Sequence, residues 1–292
     1  MKSKFIYLIP LFTVLLMSFS CSKSDDPEVF PVRDYAEQYA KDKDSIEKFL
    51  KTHSMTVNAD YDVTFTTVAS LSSNCIFLQS NLQSRDVEED GITYKLYYIK
   101  LNEGTQNRPS AVDSIFVSYR GVKLDNVQFD KSQSPVWFKV QDLITGWAHV
   151  IPDFKTGTYS TIAGVTTFSN FGAGVMFLPS GLAYYNQATG TIDQYEPIVF
   201  SFKLYELDYR DHDSDGILSK DEVPDGSTVF YNPINNDTDA DGVPNMYDID
   251  DDGDHYMTKM EIKNPLTGLP YAFADIPTCA DGKKKHISTA CH

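Results

Sequence analysis

The sequence predicts an α+β protein: one bent antiparallel β-sheet with one short helix, preceded by a helical segment and followed by an acidic extension. Three observations carry that prediction. Between Ile92 and Tyr209 the runs TYKLYYIKL, SIFVSYRG, WFKV, GVMFLPSGLAYY and PIVFSFKLYEL alternate or run continuously in apolar residues. They are rich in β-branched and aromatic types and separated by Gly, Pro and Asp, the pattern of strands and their turns. Only VQDLITGWAHVI, between two of them, has three-and-four spacing, which places Leu143, Trp147 and Val150 on one side of a short helix. Beyond Tyr209 the apolar pattern stops, and between Glu206 and Asp254 sixteen Asp and Glu stand against Arg210 and Lys220.

The chain opens on MKSKFIYLIPLFTVLLMSFS, two lysines followed by an apolar run from Phe5 to Phe19. That run is shorter than the roughly 20 apolar residues of a membrane-spanning helix and ends in small residues, so residues 1–20 are expected to be a removable export signal. Ser20-Cys21 resembles the cleavage site of a bacterial lipoprotein, which implies lipidation of Cys21 and attachment to a membrane through that lipid. The following CSKSDD resembles the acidic tether that carries some lipoproteins to the cell surface, and residues 21–32 are read as that tether. The expected address is the bacterial outer membrane.

In RDYAEQYAKDKDSIEKFLKTH, Tyr35, Tyr39, Ile46, Phe49 and Leu50 fall at helical spacing among charges, so residues 33–90 should begin with an amphipathic helix that packs on the next domain. From Thr56 to about Asp90 the chain is rich in Thr, Ser, Val and Asn and names no chemistry. Residues 91–209 form the sheet domain, 210–262 the acidic loops and 263–292 a polar tail. Cys279 and Cys291 bracket that tail and are free to pair in an oxidising compartment, while Cys75 in NCIFLQS reads as an inert buried thiol.

The 292 residues are 41% hydrophobic and carry a formal charge of -16. Such a chain repels phosphate backbones and has no clustered basic face, so nucleic acid is excluded as a partner. No GxSxG elbow, phosphate-binding glycine loop or HExxH occurs. A monomer is expected.

The succession VSYRG, QFDKS, WFKV, DLITGW, LPSGLAYY and IVFSFKLYEL, in order over the sheet domain, resembles FKBP-type peptidyl-prolyl cis/trans isomerases. The resemblance implies an FKBP-like sheet, action on proline-containing polypeptides without a catalytic cofactor, and a pocket at Tyr119, Phe129, Asp130, Phe138, Leu143, Ile144, Trp147, Tyr184, Ile192 and Phe200. In it Trp147 is the floor. Trp147, Phe138 and Phe200 seat the proline ring, the Ile144 N–H holds the substrate carbonyl, and Tyr184 donates to a neighbouring carbonyl. Asp130 orients Tyr119 or meets the twisted amide. Two features depart from the family pattern: Tyr185 where Gly is common, and TGTIDQYEP without the usual paired prolines. An insertion, Ser160–Gly174, lengthens a hairpin. The alternative reading is a binding module or chaperone that keeps the fold without the activity.

The acidic segment contains strings with calcium-ligand spacing. DHDSDGILSKDE offers Asp211, Asp213, Asp215, the Ile217 carbonyl and a bidentate Glu222, with Gly216 at the sharp turn, and matches an EF-hand loop. DTDADGVPNMYD offers Asp237, Asp239, Asp241 and Asp248, and is similar to a thrombospondin type 3 repeat. DDDGDHYMTKME offers Asp250, Asp252, Asp254 and Glu261, with His255 where glycine is usual and a left-handed backbone is needed. The expected cofactor is structural Ca2+, neutralising carboxylates that would otherwise repel one another.

Overall fold

Alternation puts successive side chains of a strand on opposite faces, and the two faces of this sheet are covered by different elements. The computed structural model describes residues 31–222 and 236–292. The export signal, Cys21 and nearly all of the tether lie outside the described residues. Among the described residues, no helix is long and apolar enough to cross a membrane.

The central sheet has six antiparallel strands. They are β3 (Leu82–Glu89), β4 (Ile92–Asn102), β9 (Gly172–Leu178), β10 (Ile198–Asp208), β5 (Ser114–Lys123) and β6 (Gln128–Lys139), hydrogen-bonded in that order. The order brings the VSYRG, QFDKS and IVFSFKLYEL segments side by side although they are distant in sequence. Register shifts at Leu204/Glu206 in β10 and at two places along β5 and β6 bend the sheet. β3 precedes the expected start of the sheet domain. It is an edge strand whose LQSRDVEE buries only Val87, so it carries too little apolar alternation to read as a strand. Asp90 and Gly91, both at positive φ, turn it back into β4.

One face of the sheet packs α2 (Thr145–Val150). Leu96, Ile115, Val117, Met176, Leu178, Phe200 and Phe202 lie under Trp147, Val150, Ile151 and Phe154, all buried. The other face packs α1 (Tyr35–Thr52) and the hairpin β1 (His53–Val57) with β2 (Val63–Thr67). α1 starts at Asp34, whose side chain accepts the Glu37 N–H, and lays Ile46, Phe49 and Leu50 against Tyr97, Ile99, Val175, Phe177 and Val199. Both faces of β9 are therefore covered, which is why all seven of its residues are buried.

The insertion forms a hairpin of β7 (Thr158–Ile162) and β8 (Val165–Ser169), closed by Ala163 and Gly164 at positive φ. Phe168 lies 4.8 Å from the Tyr205 ring, and the Tyr205 hydroxyl pairs with Ser118 at 3.0 Å. These residues point to the face opposite Val117 and Leu204, so the hairpin sits away from α2.

Among the described residues beyond β10, regular structure comes to one turn of helix, α3 (Thr258–Glu261), and short 3-10 turns, with a small apolar cluster of Ile217, Ile262 and Ile276. Its tail is closed by the disulfide Cys279–Cys291, with a Cα–Cα distance of 5.7 Å, while Cys75 is a buried free thiol.

Candidate active site and acidic loops

The face of the sheet that packs α2 gathers a set of rings, here called the cup. Trp147 of α2 is 3% exposed and forms its base. Phe200 of β10 meets Trp147 edge-on at 5.4 Å, Phe129 of β6 meets Phe200 edge-on at 5.4 Å, and Tyr119 of β5 lies 6.2 Å from Trp147 and 5.8 Å from Phe138. Leu143, Ile144 and Tyr184 pack on the same cluster half-buried, and Ile192 is buried within it. Beneath the floor, Phe202 supports Trp147 at 5.5 Å and is itself held by Phe154 at 4.9 Å.

Gly121 makes the cup's rear wall. A Cβ there would lie 2.4 Å from Cζ of Phe129 and 2.9 Å from Cε1 of Phe200, so only glycine lets both rings close on each other. The short α2 starts after Ile144, whose carbonyl accepts the Trp147 N–H at 3.0 Å. That turn keeps the Ile144 backbone beside the start of the helix that carries Trp147.

The cup has one charged group. Tyr119 donates its hydroxyl to Oδ2 of Asp130 at 2.7 Å, and Oδ1 of Asp130 accepts the Lys131 N–H at 2.7 Å. Burial, reinforced by the Asp130 carboxylate, holds the Tyr119 phenol above the ordinary tyrosine range. Tyr184 is raised in the same direction, by burial and then by the Asp130 charge. The ten residues singled out in the sequence are thus brought together: nine belong to or pack against one cluster, and Asp130 joins through Tyr119.

Tyr185 does not enter the cup. Its backbone has φ 48°, the left-handed region that glycine adopts without strain, and its ring stacks on Tyr35 at 4.2 Å while its hydroxyl donates to the Arg33 carbonyl. Tyr195, from the loop that lacks the paired prolines, packs edge-on against Tyr185 at 5.1 Å, and the Arg33 guanidinium lies 4.2 Å from its ring centre. Both departures from the family pattern therefore serve to fasten the start of α1. Reading the sheet domain alone could not find this, because the partner residues lie 150 positions earlier.

The three acidic strings fold alike. The first Asp accepts the N–H of the sixth residue in each: Asp211 from Gly216 at 3.2 Å, Asp237 from Gly242 at 3.0 Å, Asp250 from His255 at 3.0 Å. The third residue accepts from the fifth and the fifth from the seventh throughout. Position six is left-handed in all three, with φ 104° at Gly216, 98° at Gly242 and 75° at His255. Carboxyl oxygens of Asp211, Asp213 and Asp215 lie within 4.8 Å of one another, as do those of Asp237, Asp239 and Asp241, and of Asp250, Asp252 and Asp254. Glu222 and Glu261 are buried and their carboxyl oxygens make no hydrogen bond. Asp248 accepts the Asp250 N–H at 3.0 Å.

Burial of acids among acids pushes their pKa values up: Glu222 to about 9, Glu261 to about 8, Asp215 to about 6, and Asp213 upward as well, through burial and then the Asp215 charge. Asp251, which sequence reading passed over, is the most perturbed, pushed to about 10 by burial and then by Glu222. Nothing in the local spacing marks it: it stands at the second position of its string, where the other two strings carry His212 and Thr238.

A protein of Neisseria meningitidis named "Probable FKBP-type peptidyl-prolyl cis-trans isomerase FkpA" is 31% identical over 137 residues, 45% of this chain and 44% of the relative. An FKBP-type peptidyl-prolyl cis-trans isomerase FkpA of Aeromonas hydrophila is 28% identical over 48% of this chain and 47% of its own length. An outer membrane protein MIP of Legionella longbeachae is 26% identical over 40% and 44%. The chain thus spans about half the length of the curated relatives it matches, and this similarity supports the FKBP-type isomerase family. Among solved structures, a peptidyl-prolyl cis-trans isomerase of Pseudomonas syringae superposes with a TM-score of 0.39 at 19% identity, covering 61% of this chain and 98% of that one. The FkpA structure from Escherichia coli superposes with a TM-score of 0.36 at 20% identity, covering 59% and 60%. Residues 212–286 match a family model described as BamM C-terminal. The acidic segment thus matches that model and not an EF-hand. The first loop is entered from β10 rather than a helix, so the paired helices of an EF-hand are not built.

Proposed function

We propose that this chain is an FKBP-type prolyl cis/trans isomerase of the bacterial envelope, with a calcium-ordered C-terminal extension. The observation that carries the reading is the cup over Trp147, walled by Tyr119, Phe129, Phe138 and Phe200 and holding one carboxylate already bonded to a tyrosine.

Rotation about an X-Pro bond meets a barrier of about 18 to 20 kcal/mol, because the planar amide must give up its partial double bond. No proton transfer or nucleophile is needed. The twisted amide has less charge separation than the planar one, so a dry aromatic cup favours it over the ground state. An acceleration of about a million-fold requires roughly 8 kcal/mol of such preference. In this reading Trp147, Phe138 and Phe200 seat the proline ring, the Ile144 N–H fixes the carbonyl that follows it, and the Tyr184 hydroxyl steadies a neighbouring carbonyl. Asp130 fixes the Tyr119 hydroxyl through its bond at 2.7 Å and acts as a positioning group, since the rotation needs no base.

The envelope address is supported by the apolar leader ending at Cys21 and by the printed name of the outer membrane relative. Structural calcium is supported by the three superposable acid loops. The residues there fit a hard divalent cation, since each loop aims its spare carboxyl oxygens inward after the others have capped backbone N–H groups. A protease-coupled assay on a short X-Pro peptide tests the enzyme: wild type accelerates isomerisation and Trp147→Ala does not. A wild type no faster than that variant leaves the binding-module reading.

A further inference from the structure

Asp251 reaches out of its own loop. One of its carboxyl oxygens, with one from Asp215 and one from Glu222, makes a set lying within 4.8 Å of one another. Asp215 is 1% exposed, Glu222 2% and Asp251 1%. Oδ2 of Asp215 and both carboxyl oxygens of Glu222 and of Asp251 are buried without a hydrogen-bond partner, and Oδ2 of Asp213 beside them is in the same state. The nearest lysine in sequence, Lys220, is engaged by Asp221 at 2.6 Å. Buried, ionised, unpaired carboxylates in one place are not a stable arrangement for a protein alone.

The loop repeat explains how Asp251 is released. At the second position of each loop a residue is tied to one seven places on: His212 to Ser219 at 2.9 Å, Thr238 to Asn245 at 2.8 Å, and the Asp251 N–H to the Thr258 hydroxyl at 3.2 Å. In the first two loops the side chain is spent on that bond. In the third only the backbone is, and the carboxylate is left free. Packing of Ile217 on Ile262 and Ile276 then carries this part of the third loop onto the first.

We propose that Asp215, Glu222 and Asp251 form a divalent-cation site, suited to calcium, that clips the third acidic loop onto the first. Asp213 lies at its edge, and Asp215 belongs both to this group and to the Asp211–Asp213 cluster, so the site draws on carboxylates from two loops. A many-carboxylate oxygen set with a glutamate able to bind through both oxygens suits calcium better than magnesium, which keeps most of its water. The ion closes the chain between Glu222 and Asp251. It would order the extension as a unit rather than as three separate beads. This rests on the reading that the acidic loops take cations, and the experiment separates the two.

Calcium binding is measured on the lipid-free full chain by titration calorimetry, with chelator-treated thermal unfolding alongside, for wild type, Asp251→Asn, Glu222→Gln and the exposed-charge control Asp44→Asn. The expected result is that Asp251→Asn and Glu222→Gln each lose the same calcium site, or bind there at least about tenfold more weakly, while the control matches wild type. In chelator Asp251→Asn unfolds at or above the wild-type temperature, because the carboxyl group it replaces is buried with neither oxygen satisfied when no ion is bound; this separates ligand loss from misfolding. Wild-type stoichiometry and affinity in Asp251→Asn overturn the clip while leaving calcium in the individual loops. Absence of calcium binding by wild type overturns both. Limited proteolysis of wild type adds a readout independent of any variant: calcium should protect residues 211–222 and 250–262 at one concentration, and protection at two well-separated concentrations contradicts the clip.

Discussion

Asp42 of α1 accepts both the backbone N–H of Ser180, at 2.7 Å, and its hydroxyl, at 2.5 Å, across 138 residues of sequence. Gln38 donates to the other carboxyl oxygen at 2.6 Å, and all three residues are buried. The bond ties the helix on one face of the sheet to the LPSGL turn that leads into Tyr184 on the other. Burial raises the Asp42 pKa against the pull of these donors. Asp42→Ala strands the Ser180 donors and should lower unfolding free energy by about 3 kcal/mol in urea titration, with Asp42→Asn intermediate. Loss of α1 packing should also reach isomerase activity through Tyr184.

Isomerase activity should be flat between pH 6 and 9. Tyr119 and Tyr184 are held above the ordinary phenol value of 10.0, and the ring contacts that build the cup are all between Phe, Tyr and Trp. The sign follows from the direction. A folded-state pKa above the unfolded one means the neutral phenol and its bond to Asp130 contribute stability below the unfolded pKa, and that contribution is lost as pH rises through the folded value. The check is kcat/KM against pH; a bell-shaped profile with a limb in this window would indicate proton transfer.

Gly121→Ala should leave the protein folded and impair the cup. Its Cβ would displace Phe129 and crowd Phe200. A ring moved by about 1 Å is expected to reduce kcat/KM by roughly ten- to a hundred-fold. Circular dichroism and the coupled assay together check this.

Tyr185→Gly restores the residue common in the family. It relieves a left-handed tyrosine, worth about 1 kcal/mol, and removes a buried ring stacked on Tyr35, worth about 2 to 3 kcal/mol, so a net destabilisation of about 1 to 2 kcal/mol is expected. Activity on a short peptide should be unchanged, since the ring is outside the cup.

Chelation should loosen the extension and spare catalysis. The first acidic loop is fastened to the sheet at its far end: the Arg210 N–H donates to the buried Asp113 at 3.1 Å, and Ser219 N–H to the Arg210 carbonyl at 2.8 Å. Phe200 lies eight residues up β10 from Asp208, about 26 Å at the usual rise per residue, in a sheet paired on both sides. Isomerase activity within about twofold of the untreated protein is expected, since the cup's own packing is untouched.

The ring cup was legible because Tyr119, Phe129, Phe138, Trp147 and Phe200 stand at strand and helix positions whose types repeat a family succession in order. α1 was legible because its apolar stripe fixes one buried face. β3 was not, because an edge strand needs only one packed residue and Val87 gives no alternation. The roles of Tyr185 and Asp251 were not legible either. Each is set by a partner from a distant segment, Arg33 and Tyr35 for one, Asp215 and Glu222 for the other, and a single sequence carries no sign of which distant segments meet.

The central claim is that the cup over Trp147 isomerises prolyl bonds. It is tested most directly by exchange NMR on an X-Pro peptide with sub-stoichiometric protein, comparing wild type with Phe138→Ala, a rim variant that leaves the buried floor intact. Wild type should accelerate cis/trans exchange well above the spontaneous rate, and Phe138→Ala should lose most of that acceleration while its fold is retained. Exchange at the spontaneous rate with wild type, or equal acceleration by both proteins, would contradict the account.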